Sequence, residues 1–164
     1  MIMKKFRCKN VFIGVVFLIF ILLIMTSCSK EKNNDRNISV KDIDEKIIES
    51  IDISNMDMAD EERLEKLYDI DIEFLQEFVL YVPKTNIEVN ELFVLRAKDK
   101  DDIDDIKEKI ENRIEEQSDN FRDYLPEEYY LIEKHVLKIK GNYILFAISE
   151  EAETIEDIFN QFFK

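Results

Sequence analysis

Residues 130–164 read YLIEKHVLKIKGNYILFAISEEAETIEDIFNQFFK, and this stretch decides the fold. Gly141-Asn142 stands between two runs of β character, one from about Tyr130 to Ile139 and one from Tyr143 to Ser149. Glycine supplies the positive φ that a two-residue hairpin turn requires, so the two runs are predicted to pair as antiparallel strands. After Glu150 and Glu151 the period changes. Ile155, Ile158, Phe159 and Phe162 recur at helical spacing, which predicts a helix from Ala152 to near the end with one apolar face.

The same order of elements occurs once more upstream. Gln76 to Val82 is a β run stopped by Pro83, and Val89 to Ala97 is a second. Asp101 to about Gln117 is the clearest helix of the chain, with Ile103, Ile106, Ile110 and Ile114 at spacings of three and four. The two halves align without gaps at an offset of 52 residues, placing Asn90, Ile103, Asp105 and Ile106 on Asn142, Ile155, Asp157 and Ile158. A shared secondary-structure pattern alone gives nearly as many identities, so duplication stays a hypothesis. Either way an α+β fold is expected: a four-stranded, mainly antiparallel sheet in tandem strand-strand-helix order, with both helices on one face.

Two helices are expected ahead of the sheet. Ser39-Val-Lys-Asp42 has the form of a capping box, and Val40, Ile43, Ile47, Ile48 and Ile51 follow at helical spacing. A shorter helix after Asp57 carries Asp60, Glu61 and Glu62 in its first turns, where acids complement the helix dipole, and Leu64, Leu67 and Tyr68 on its apolar side.

The start of the chain has a different character. MIMKKFRCKN holds Lys4, Lys5, Arg7 and Lys9 with no acid, and Val11 to Met25 is an apolar run of 15 residues. A helix crossing about 30 Å of hydrocarbon needs roughly 20 apolar residues, so this run is short for a span and fits a secretory signal. Thr26 and Ser27 before Cys28 resemble the bacterial lipobox, with Met25 where Leu is commonest. That resemblance implies a diacylglycerol on Cys28 and cleavage before it. The competing reading is an uncleaved anchor with an unmodified Cys28. Two acyl chains give stable anchoring where one is marginal. The expected organisation is a signal over residues 1–27, a polar tether over 28–38 and a single α+β domain over 39–164, lipid-anchored at the cell membrane and facing the extracytoplasmic side.

Composition then removes whole classes of activity. The chain has two cysteines; Cys8 leaves with the signal and Cys28 is taken by lipid, so thiolate catalysis, a Cys-ligated zinc site and a redox pair are not expected. Losing four basic residues with the signal leaves 19 basic against 37 acidic, a net charge of −18. Such a charge repels nucleic acid and anionic headgroups, so no nucleic-acid partner is expected. With two glycines, one of them in the signal, no phosphate-cradling loop is available. No cofactor is implied.

The stretch from about Ile51 to Phe159 resembles a functionally uncharacterised family of bacterial, mainly Gram-positive, lipoproteins. The resemblance rests on Asn55-Met-Asp-Met-Ala-Asp60, Leu67-Tyr-Asp-Ile-Asp71, Glu91-Leu-Phe-Val-Leu-Arg96, the helix from Asp101, and Lys140-Gly-Asn-Tyr-Ile-Leu-Phe-Ala-Ile-Ser149. It implies the same plan of lipobox, tether and one small domain, and brings no catalytic residues. Asp69 stands where similar proteins would have Gly, a position that tolerates Asp if the helix ends in the left-handed conformation.

Candidate chemistry is sparse. The acids Asp99, Asp101, Asp102, Asp104, Asp105 and Glu108 invite a calcium loop, but Ile103 falls where the fifth position needs an oxygen ligand and Asp104 where the sixth needs glycine. Capping and solvation of the Ile103–Ile114 helix explain the run better. His135 is the only histidine, so a two-His metal site cannot form, and an ordinary half-buried or exposed imidazole in the strand is expected. Glu91 is the most interesting carboxylate. Strict alternation puts it on one face with Ile87, Val89, Phe93 and Leu95, where burial would suit acid-base work. A bulge or a later strand start would turn it outward, and that is the favoured reading, since buried unpaired acids are rare.

The expectation from sequence is therefore a non-catalytic binding or accessory module for another envelope protein, docking through an open sheet face or edge strand. A solute- or cation-binding lipoprotein is the alternative. An enzyme using Glu91 or His135 comes third.

Overall fold

The computed structural model describes residues 38–164. The expected signal over residues 1–27, the lipidation site Cys28 and all of the tether but Ile38 lie outside the described residues.

Five strands form one sheet: β1 (Met56–Met58), β2 (Leu75–Pro83), β3 (Glu91–Ala97), β4 (Val136–Lys140) and β5 (Tyr143–Ile148). Their order is β1-β2-β3-β5-β4, with every neighbouring pair antiparallel. Five α-helices accompany them: α1 (Val40–Ile48), α2 (Glu61–Tyr68), α3 (Ile103–Phe121), α4 (Pro126–Glu133) and α5 (Ala152–Gln161). The α+β class stands, and the sheet has five strands in place of the expected four. The extra one, β1, is three residues long and pairs Met56 with Pro83 and Met58 with Tyr81.

The layering also differs from expectation. Both faces of the sheet are covered. Leu64 and Tyr68 of α2, Ile103, Ile106 and Ile110 of α3 and Ile132 of α4 pack with Phe93, Leu95, Ile144 and Phe146 on one face. Val40, Ile43 and Ile47 of α1 and Ile155, Ile158 and Phe159 of α5 pack with Leu92, Val94, Leu145 and Ala147 on the other. The two helices that follow hairpins, α3 and α5, thus lie on opposite faces, and the two N-terminal helices also divide between the faces. The physical cause is visible in β5, YILFAI, where every residue is buried. A strand apolar on both faces needs cover on both.

This geometry counts against a duplication. Each half can be viewed from the side its own helix covers, with the strand before that helix pointing up. Then β2 lies to one side of β3, whereas β4 lies to the opposite side of β5. The two halves have opposite hands, so no rotation superimposes them.

Local signals account for several boundaries. Gly141 turns the β4–β5 hairpin at φ 62°, with Lys140 opposite Tyr143, as a Gly-first two-residue turn requires. Asp69 ends α2 in the left-handed region at φ 54°, and its carboxylate meets Lys109 Nζ at 2.9 Å. Ser39 caps α1 by accepting from the Lys41 N–H at 3.1 Å. The carboxylate completing that cap is Glu77 of β2, which accepts from Ser39 Oγ at 3.1 Å and Val40 N at 2.9 Å. Asp99 caps the short turn before α3 by accepting from Asp101 N at 3.1 Å, so part of the acid run performs the capping role. The strand expected over Tyr130–Ile139 is shorter, because residues 126–133 form α4. Pro126 opens that helix with Glu127 and Glu128 in the first turn, a combination suited to a helix N-terminus.

Candidate functional site

Glu91 begins β3, on the same face of the sheet as Phe93 and Leu95. It is 0 % exposed. The outward orientation favoured from sequence is therefore corrected: the strand alternates from its first residue, and the carboxylate points into the layer beneath α2 and α3. It is buried because it is paired. The Tyr68 hydroxyl of α2 donates to Oε2 at 2.9 Å, and Arg113 Nη2 of α3 donates to Oε1 at 2.7 Å. A second carboxylate, Glu116, accepts from Arg113 Nη1 at 3.2 Å.

Three elements are clasped together by these bonds. Burial, and then the Glu91 charge, push the Tyr68 hydroxyl well above its ordinary range, so it stays a donor. Burial alone would lower the pKa of Arg113. Glu91 by charge and hydrogen bond, with Tyr68 and Glu116, outweighs it, and the net direction is upward. A guanidinium held charged opposite a buried carboxylate makes a short, charge-assisted ion pair.

Beside the clasp lies an open cleft of about 400 Å³. Val82, Glu91, Arg113, Gln117 and Phe121 line it together with Arg63 and Leu67 of α2 and Lys84, Thr85, Asn86 and Glu88 of the β2–β3 loop. That loop is tied down by the Glu128 carboxylate of α4, which accepts from Val89 N at 3.0 Å. A larger hollow of about 780 Å³ lies between α4 and the start of α5. It is lined by acids such as Glu127, Glu150 and Glu153, and the buried polar side chain it holds is Ser149, whose Oγ accepts from Glu151 N at 3.0 Å.

His135 is not brought to this site. It sits in the turn between α4 and β4 rather than in the strand, half-buried, with Nδ1 2.7 Å from the Ile132 carbonyl and its ring 6.2 Å from that of Phe146. Among the described residues no group of three or more His, Cys, Asp or Glu side chains is placed to hold a metal ion.

Sequence reading missed Tyr68, Arg113 and Gln117 as polar members of this layer. A signal existed. Ile103, Ile106, Ile110, Arg113, Gln117 and Phe121 continue one series at spacings of three and four, which puts Arg113 and Gln117 on the core-facing stripe of α3. It also missed a second buried acid on the opposite face. Asp44 of α1 is 6 % exposed; its Oδ2 accepts from the Tyr81 hydroxyl at 3.2 Å, while Oδ1 has no partner. Burial raises the pKa of Asp44 against the lowering effect of Tyr81, and Tyr81, by burial and then the Asp44 charge, is pushed up to about 12.

A carboxyl whose pKa is raised by folding stabilises the fold when protonated, and this contribution is lost as pH rises through the folded pKa. Ionised Asp44 therefore works against the fold at neutral pH. Asp44→Asn is expected to gain in melting temperature relative to the parent as pH rises from 4 to 7 (about one window of carboxyl titration). Parallel melting curves across that range check the sign; a difference that stays constant contradicts it.

Fold and site define a small three-layer α+β domain with a polar cleft beside a buried Tyr-Glu-Arg clasp. The chain belongs to the family described as domain of unknown function DUF4358, which matches residues 49–149. That match takes in Tyr68, Glu91, Arg113 and Gln117. No curated protein and no solved structure matches the chain significantly.

Proposed function

We propose that this protein is a membrane-anchored extracytoplasmic lipoprotein whose domain is a non-catalytic binding or accessory module for another envelope protein. The observation that carries the reading is the state of Glu91. The acid best placed for proton transfer is closed off by Arg113 and Tyr68 at 2.7 and 2.9 Å, as a framework group would be. His135, the other candidate, spends Nδ1 on a backbone carbonyl. The anchoring half of the proposal rests on the basic start, the short apolar run and the small residues before Cys28. Among the described residues no helix is long and apolar enough to cross a membrane, so the domain itself offers no second anchor of that kind.

Both sheet faces are covered, so docking falls to the cleft, the helix surfaces and the edge strands β1 and β4. The test is crosslinking in living cells followed by capture of the lipidated protein, with Cys28→Ala as the unanchored control. A recurrent envelope protein recovered only with the anchored form supports the proposal. Equal recovery from both forms, or none above background, overturns it.

A further inference from the structure

Asp44 stands on the seated side of α1, the side on which Val40, Ile43 and Ile47 are buried. It is 6 % exposed, with Oδ2 on the Tyr81 hydroxyl at 3.2 Å and Oδ1 without a partner. Glu91, the buried acid of the opposite face, has a guanidinium at 2.7 Å. Asp44 has none. The cations of its own helix are engaged elsewhere, Lys41 with Glu45 and Lys46 with Glu49, each at 3.4 Å.

The elements packed on α1 are β2, β3 and α5. From β2, Tyr81 meets Asp44, and Glu77 is bonded to Ser39 and Val40 at the start of the helix. From β3, Arg96 lies over the Tyr143 ring at 5.2 Å. At α5, Glu151 accepts from Asp52 N at 3.3 Å, and Glu156 meets Lys138 at 3.0 Å. Glu45, next along α1, sets a like charge beside Asp44. Seated and ionised, Asp44 therefore has one neutral donor for a carboxylate cut off from water, a costly arrangement.

α1 is also placed to move alone. It is nine residues long, the first element of the described chain, and joined to the sheet by the segment that follows it. The family match begins at residue 49 and leaves it out. A helix so short is marginal in water, so off the sheet its amides lose their protection.

We propose that α1 is a pH-sensitive strap, seated on β2 and β3 in acid and lifting from them in a growing fraction of molecules as pH rises. In the lifted helix Asp44 is solvated and titrates near the ordinary carboxyl value of about 4. Burial raises it in the seated helix. Protonation thus favours the seated helix, and that preference is lost as pH rises from the ordinary value through the raised one. One proton is linked to the step, so seating weakens by at most about tenfold per pH unit. Lifting uncovers Tyr81, Leu92 and Val94 on the sheet face beneath.

The test is hydrogen exchange of the full-length protein in detergent micelles, read by mass spectrometry from pH 4 to 7. Rates are expressed as protection, which removes the intrinsic pH dependence of exchange. The α1 amides are expected to be less protected than those of α3 and to depend less on added urea, as local opening does. Their protection is expected to fall as pH rises and then to level off. Asp44→Asn is expected to abolish the fall. Three results overturn the proposal: α1 protection that does not change with pH, α1 and α3 sharing one protection and one urea dependence, or a fall in Asp44→Asn equal to the parent's. If Asp44→Asn does not fold, Tyr81→Phe takes its place. Losing the hydroxyl that favours the carboxylate is expected to carry the fall to higher pH, and an unshifted fall overturns the proposal. The strap requires neither the lipid nor a partner, so it stands or fails apart from the binding-module reading.

Discussion

Arg113→Met is expected to destabilise the domain by about 3–5 kcal/mol, the cost of leaving one member of a buried ion pair alone. Glu91 is 0 % exposed, and the Arg113 side chain is 12 % exposed. The methionine fills much of the same space and supplies neither charge nor donor. Glu91 would keep only the Tyr68 hydroxyl, one neutral bond for a carboxylate that had two donors. The loss is large against the about 5–15 kcal/mol typical of a whole domain. Urea unfolding followed by circular dichroism reads it as a lower midpoint with an unchanged slope. A loss below about 1 kcal/mol, the level of an exposed surface pair, would mean that water reaches the carboxylate.

Phe93→Ala is expected to cost about as much, roughly 3–5 kcal/mol, by a different route. Phe93 is fully buried in the central strand β3, where it stands opposite Phe146 of β5. Its ring lies 5.0 Å from that of Tyr68 and 6.5 Å from that of Phe78. Truncation removes apolar area and leaves a hole between two strands and α2, where a sheet hydrogen-bonded on both sides has little freedom to collapse. The same urea experiment measures the cost. Phe93→Leu, which refills part of the hole, is expected to recover a sizeable share of it. Equal losses in the two variants would show that the aromatic contacts, not the volume, hold this layer.

These two residues mark the boundary of what the sequence made legible. Phe93 and its strand were readable, because β propensity and alternation are local. So were the Gly141 turn, the Ser39 cap, the isoleucine ladder of α3 and the left-handed end of α2 at Asp69. The second covering layer was not read, although YILFAI carried the sign in its lack of alternation. Asn55 to Asp60 gave no strand signal, since β1 is three residues of edge pairing held by its register with β2. Residues 130–133 fit a strand pattern because Tyr and Ile suit both states; Pro126 and the acids after it decide for helix.

The site depended on what sequence shows least. An unpaired acid in a core is costly, so sequence alone favours an outward Glu91. Its partners come from two other elements, Tyr68 lying 23 residues before it and Arg113 22 residues after it. Only tertiary packing brings them together. A rule about unpaired acids is sound, and it does not apply to a paired one.

Under the proposed function, Glu91 serves the framework of the domain through its pairing with Arg113. A double-mutant cycle on Glu91→Gln and Arg113→Met, with stability measured by urea unfolding, tests this most directly. A coupling of about 2–3 kcal/mol is expected, with the double variant more stable than the Arg113→Met single. Losses that add within about 0.5 kcal/mol would contradict it, leaving Glu91 independent of Arg113 and free for acid-base chemistry.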